Sequence, residues 1–186
     1  MTKYKLTDKT KEFFGITLHQ IVAVTEFGYV RVGDLGGWIE KESNLSQEGG
    51  CWISGDAQIS GDAQIYGNAQ ISGNAWISGY ARIYGNALIS GYARISGDAL
   101  ISGDALISDD AQIKSFHDIC IMSCFGSEGR TTTAFNCKDK TIKVNCGCFN
   151  GTINEFEKQI EKTHGNTQYG REYKAMVELI KIHLSD

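Results

Sequence analysis

From Gly55 to Lys114 the chain repeats a six-residue unit ten times without interruption. The unit runs Gly, then Asp, Asn or Tyr, then Ala, a variable residue, Ile, and in most copies Ser or Tyr. Ile fills its column from Ile59 to Ile113, and Ala fills its own from Ala57 to Ala111. A period of six fits neither an α-helix, at about 3.6 residues per turn, nor a heptad. It fits short strands joined by a sharp turn every six residues. Gly beside Asp or Asn suits turn positions with φ > 0. Ile and Ala, two apart, leave a strand on the same side, so both are expected to face inward. Three strands then close a triangular coil, and coils stack by parallel backbone pairing at about 4.8 Å. Composition agrees: the chain holds 22 glycines and no proline. Nine of those glycines, Gly55 through Gly103, form one column. Proline has no N–H to give to a stacked neighbour. Upstream, Gly49–Ser54 is a partial unit, and Ile39 and Leu45 keep the spacing of six. The step from Leu45 to Ile53 predicts a two-residue insertion.

The phase Ile59-Ser60-Gly61-Asp62-Ala63-Gln64, aliphatic–any–Gly–Asp/Asn–small–any, resembles the hexapeptide-repeat, left-handed parallel β-helix family. The expected fold is mainly β: a left-handed β-helix solenoid over 49–114, an N-terminal β cap over 1–48, and a small α+β domain over 115–186. The resemblance implies acyl transfer, trimers and a histidine general base on the solenoid. This chain departs from that pattern. Its histidines are His19, His117, His164 and His183, none within the repeats, and no long loop interrupts the hexads. The leading expectation is therefore a non-enzymatic binding or scaffold protein with no cofactor. A nucleotide or other small-molecule binder at clefts between subunits and a variant acyltransferase are the alternatives. Upstream, Gly33-Asp-Leu-Gly-Gly-Trp-Ile-Glu40 and Asn44–Ile53 are similar to uncharacterised bacterial and phage-encoded hexapeptide-repeat proteins. Phage origin would imply a host-directed inhibitor or a structural component. Physically the segment reads as a cap over the open edge of the first coil.

Residues eighteen apart should lie one above another, which sorts the variable column into three faces. One carries Gln58, Trp76, Arg94 and Gln112, a second Gln64, Arg82 and Leu100, and a third Trp52, Gln70, Leu88 and Leu106. The third is the most apolar. Trp52, Leu88 and Leu106 are thus candidate interface residues, covered either by the chain's own ends or by another copy in a dimer or trimer. Trp76, Tyr80, Arg82, Tyr84, Tyr92 and Arg94 form a candidate recognition patch, of the residue types enriched at binding hot spots. Ordinary ladder stacking competes with that reading, and Trp76 over Arg94 predicts a cation–π contact. The Asp column reads as turn chemistry rather than a calcium site.

Net charge is −4 and no basic tail is present, which argues against a phosphate-dominated nucleic-acid partner. Without a membrane-length apolar run or a signal-like start, the expected location is cytoplasmic. Five of six cysteines fall after the repeat: Cys120, Cys124, Cys137, Cys146 and Cys148. Alternation would pair Cys120 with Cys124 and Cys146 with Cys148 on strand faces. Four strand steps separate sulfurs by about 13 Å, so buried free thiols are expected over zinc. Three strands (118–124, 131–137, 141–146) and two helices are predicted. The first helix is opened by a capping box at Thr152–Glu155 and buries Ile153, Phe156 and Ile160. The second buries Tyr173, Met176, Val177, Ile180 and Leu184. The loop Gly126-Ser-Glu-Gly-Arg-Thr is a candidate anion cradle, and Cys148 with His164 a candidate nucleophile pair.

Overall fold

The computed structural model describes residues 2–185. Strands β1 (Tyr4–Phe13) and β2 (Ile16–Ala23) form an antiparallel hairpin, followed by β3 (Leu35–Ile39). Eleven two-residue strands follow at intervals of six: β4 (Trp52–Ile53), β5 (Gln58–Ile59), β6 (Gln64–Ile65), β7 (Gln70–Ile71), β8 (Trp76–Ile77), β9 (Arg82–Ile83), β10 (Leu88–Ile89), β11 (Arg94–Ile95), β12 (Leu100–Ile101), β13 (Leu106–Ile107) and β14 (Gln112–Ile113). They pair in parallel as a β-helix with three faces: β3-β5-β8-β11-β14, β6-β9-β12, and β4-β7-β10-β13. The Ile and Ala side chains of the hexads fill the interior and are 0–1% exposed. Backbone N–H groups reach the carbonyls of the next coil, as in Gln58 N to Ala75 O and Arg82 N to Ala99 O, both 2.9 Å.

Coil stacking begins before residue 49. Trp38 pairs with Gln58 and Leu45 with Ile65, whereas Trp52 already pairs with Gln70. The first step is thus two residues longer than the later ones. The insertion and the beginning of the first coil thus lie in the segment that sequence pattern assigned to the cap, 1–48.

The corner glycines meet two demands at once. Gly55 through Gly103 all have positive φ, between 61° and 75°. Most also stand against the next coil: a Cβ at Gly85 would lie 2.7 Å from Gly103 N. Gly103 has nothing within 4 Å of its would-be Cβ. One hexad later the column holds Asp109, at φ 58°. At one corner the turn residues form an amide ladder. Asn68 Nδ2 donates to Asn86 Oδ1 at 3.2 Å, and Asn86 Nδ2 to Asp104 Oδ1 at 2.9 Å.

Both solenoid ends are closed by the chain. At the first coil, the Tyr4 hydroxyl donates to Leu45 O at 2.6 Å and the buried Lys3 ammonium to Cys51 O at 2.9 Å. At the last coil stands an antiparallel sheet of β15 (Ile119–Met122), β16 (Thr132–Asn136), β17 (Ile142–Cys146) and β18 (Phe149–Thr152). Alternation gives this sheet two working faces. Phe135 and Cys137 join the solenoid core, while Ala134 and Val144 pack with the helices. Thr133 Oγ1 accepts from Leu106 N at 3.1 Å, and Asn145 Nδ2 donates to Leu106 O at 2.8 Å. These side chains supply the partners that a further coil would have given.

β18 is a strand beyond the three expected. Asn150-Gly151 is poor strand chemistry, but a Cβ at Gly151 would meet the Phe149 ring at 2.9 Å, so packing selects glycine there. Helix α1 (Ile153–His164) opens on the predicted capping box, with Thr152 N donating to Glu155 Oε2 at 2.8 Å. Both α1 and α2 (Gln168–Leu184) bury the predicted residues. No helix among the described residues is long and apolar enough to cross a membrane.

Two stability outcomes follow. Gly103→Ala incurs mainly the left-handed backbone cost of about 1 kcal/mol, and Gly85→Ala adds a backbone clash, for a loss of about 2–3 kcal/mol. Denaturant titration of the two variants reads this order directly; equal losses would refute the close-approach argument. Asn145→Ala strips Leu106 O of its cap and costs about 1–3 kcal/mol, measured the same way.

Candidate functional site

On the first face the ladder runs Gln58, Trp76, Arg94, Gln112, as the spacing predicts, and Trp38 extends it by a step of twenty residues. The hairpin tip lies over it. Phe13 meets Trp76 edge-on, with ring centroids 5.1 Å apart, and Phe14 stacks on it at 5.4 Å. Lys11 Nζ sits 4.4 Å from the Trp38 ring centroid, and its pKa is lowered, chiefly by burial. Phe14 takes φ 50°, an uncommon conformation for an aromatic residue. Arg94 stands at the expected cation–π position, 5.9 Å from the Trp76 ring centroid. Trp76 Nε1 and Gln58 Oε1 are buried without a hydrogen-bond partner.

The six candidate patch residues do not share one surface. Trp76 and Arg94 lie on the first face, with Tyr92 at the corner before it. Arg82 lies on the second face, with Tyr80 at the corner before that one. Tyr84 lies beyond β9, toward the third face, stacked on Tyr66 at 5.1 Å with planes 5° apart. Arg82, Arg94, Tyr80 and Tyr92 are exposed, whereas Trp76 and Tyr84 are half-buried. On the third face, Trp52 is buried against Phe27, the Tyr29 hydroxyl bonds to Gln70, and Leu106 lies under the C-terminal sheet. Leu88 is the exposed one of the three candidate interface residues.

The C-terminal cysteines depart from their expected pairing. Cys124 lies beyond β15 at φ 68°, and Cys148 sits in the β17–β18 turn after Gly147 at φ 60°. Neither therefore shares a strand face with its supposed mate. Cys51 and Cys137 are buried, but Cys124 and Cys148 are exposed, so the thiols are not uniformly interior. Burial pushes the Cys137 thiol up to about 12, with Asp110 adding to the effect, and burial also raises Cys120. No group of three or more His, Cys, Asp or Glu among the described residues is placed to hold a metal ion.

Two separate sequence signals meet in the C-terminal module. A cleft of about 230 Å³ is lined by Arg130 from the glycine loop, by Cys146 and Cys148, and by His164 and Tyr173 from the helices. The loop is not a free anion cradle, because Gly126 N already donates to Glu172 Oε2 at 3.0 Å. Arg130 instead lies across the β17–β18 turn, where a Cβ at Gly147 would sit 2.5 Å from its Nη1. The floor is aromatic: Phe149–Phe156 at 5.0 Å, Phe156–Tyr173 at 5.9 Å and His164–Tyr173 at 5.3 Å. The floor was missed as a site because helical periodicity explains Phe156 and Tyr173 as core. Burial, with Cys146 nearby, raises the Tyr173 phenol. A larger hollow of about 640 Å³ follows the seam between the last coil and its cap, near Lys114 and Lys138. It lacks the aromatic wall and the paired thiols.

The regular coils carry the likeness to known proteins. The family described as YdcK Beta solenoid repeat matches residues 63–79, 81–97 and 93–109. The coils are thus similar to that β-solenoid repeat over the matched residues. A protein of Escherichia coli (strain K12) named "Uncharacterized acetyltransferase YdcK" is 39% identical over 61 residues, covering 28% of this chain and 19% of that protein. The chain therefore matches about a fifth of the length of that relative.

Native-state alkylation with iodoacetamide, read by peptide mass spectrometry, checks the thiol placement. Cys124 and Cys148 are expected to react first. Cys51, Cys120 and Cys137 should lag until the chain is denatured: burial shields Cys51 and Cys137, and a raised thiol pKa leaves less thiolate at Cys120 and Cys137. Cys137 reacting as fast as Cys148 would contradict the structure.

Proposed function

We propose that the chain is a non-enzymatic binding protein, a stiff solenoid that presents its outer edges to a macromolecular partner. The observation that carries this reading is the unbroken six-residue spacing of strands from β4 to β14. No inserted loop walls off a cleft along these coils, and no histidine stands on them. Tyr80 and Tyr92, 66% and 67% exposed, project from corners whose backbone is fixed by stacking, each two residues before an exposed arginine. Tyrosine and arginine are enriched at binding hot spots, and a backbone already fixed by stacking has no further ordering cost when a partner covers it. Two alternative contact edges follow, Tyr92 with Arg94 and Tyr80 with Arg82. A second reading, acetyl transfer, is favoured by the name of the matched relative.

The test uses the intact chain and two variants, Tyr92→Ala/Arg94→Ala and Tyr80→Ala/Arg82→Ala. Both substitute exposed residues, so melting temperatures should stay within a few degrees. A stoichiometric partner captured from lysate is expected to be lost from one variant and retained by the other. Retention by both overturns the proposed edges. Release of CoA from acetyl-CoA over a panel of amino sugars and amino acids should equal the protein-free rate, and turnover would establish the second reading instead.

A further inference from the structure

The C-terminal cleft plays no part in the solenoid's edges and is built from segments far apart in sequence. We propose that it binds a small carboxylate with a flat apolar body. The carboxylate partner is Arg130. Its guanidinium is planar and offers paired donors that match a carboxylate's two oxygens. It lies across Gly147, where the missing side chain leaves room for it: a Cβ there would come within 2.5 Å of Nη1. Its ion pair with Glu128 is loose, at 3.9 Å, and both side chains are more than half exposed. An incoming carboxylate displaces Glu128 from the guanidinium. A phosphate would want several backbone amides in addition, and Gly126 N is already taken by Glu172.

The apolar body lies against Phe149, Phe156 and Tyr173, whose rings form a continuous run with His164. At about 230 Å³ the cleft is smaller than the roughly 300–1,000 Å³ of drug-sized sites, so the ligand is fragment-sized. Cys148 lines the same cleft from the turn beside Gly147 and is exposed, so its thiol reports what approaches Arg130. Cys124 is also exposed and does not line the cleft; its N–H donates to Gly129 O, next to Arg130, so it shares the loop's general charge and the comparison isolates what the cleft adds.

The experiment compares alkylation by iodoacetate, an anion, with alkylation by neutral iodoacetamide, at Cys148 and Cys124 of the same molecule. In each reaction the thiolate sulfur displaces iodide and forms a thioether. The iodoacetate-to-iodoacetamide rate ratio at Cys148 is expected to exceed that at Cys124 by about fivefold, the size of one close charge in a wet site. Arg130→Gln should bring the two ratios together, and Glu128→Gln should widen the gap. Phenylacetate at millimolar concentration should slow both reagents at Cys148 and neither at Cys124. Equal ratios at the two thiols, a ratio unmoved by Arg130→Gln, or no protection by phenylacetate would each overturn the proposal. If Arg130→Gln fails to fold, the Glu128→Gln comparison and the phenylacetate arm still decide it.

Discussion

Parallel stacking of one coil's backbone on the next is the constraint from which the rest of the molecule follows. Ladder bonds such as Ser60 N to Ile77 O at 3.0 Å and Tyr66 N to Ile83 O at 3.0 Å tie each turn to the following one. That arrangement has no place for proline and needs a turn after every strand. The turn must curl left-handed and let the neighbouring coil's backbone pass close by, so it selects glycine. Asp109 tests the logic within the chain itself. It adopts the same φ > 0 as the glycines, but it sits in the last hexad, where no further coil is stacked beyond it. The steric half of the requirement is gone, and the conformational half is one that Asp tolerates.

A stack of coils also has two open ends, and each presents unpaired amides and carbonyls that would recruit another chain. Here the ends are closed by different means. The first coil is closed by Lys3 and Tyr4, whose side chains reach into its backbone carbonyls. The last coil is closed by a sheet whose one face continues the Ile core through Phe135 and whose Asn145 and Thr133 bond Leu106. The C-terminal module is thus part of the solenoid's stability as well as a carrier of its own cleft. Its sheet is shared between two cores, Phe135 and Cys137 facing one and Ala134 and Val144 the other.

Legibility followed contact range. Adding eighteen to a residue number found every face-one neighbour from Gln58 to Gln112, because the repeat turns a distant contact into a fixed offset. The capping box and the buried stripes of α1 and α2 were equally local and equally readable. Phe14 over Trp76 was not, since nothing in either residue's neighbourhood marks the other. The candidate patch failed as a single surface for a related reason. Tyr80, Tyr84 and Tyr92 are close in sequence, but one strand in every six residues carries the chain around the prism, so closeness along the chain separates them in space. In the C-terminal module the opposite holds. Arg130 drew notice in the glycine loop and Cys148 with His164 as a pair, and only the order β15-β16-β17-β18 with α1 packed on it brings the two signals to one cleft.

The same geometry bears on where chemistry can reside. Along the coils, each outward side chain has a fixed neighbour above and below, and the corners leave no room for a side chain to move inward. Such a surface suits recognition by shape and by a few rigid aromatic or cationic groups. A pocket needs irregular backbone, and the chain provides it at its ends, where the repeat stops. The hairpin tip with Phe14 at φ 50° and the turn with Gly147 at φ 60° are both such places. At the first, Trp76 Nε1 is covered and left without a partner, a cost of about 1–3 kcal/mol that packing by Phe13 and Phe14 must offset. At the second, the left-handed turn opens space that Arg130 occupies and that a thiol, a phenol and an imidazole surround. Rigid coils thereby fix the distance between two irregular ends, each able to evolve its contacts without disturbing the ladder between them.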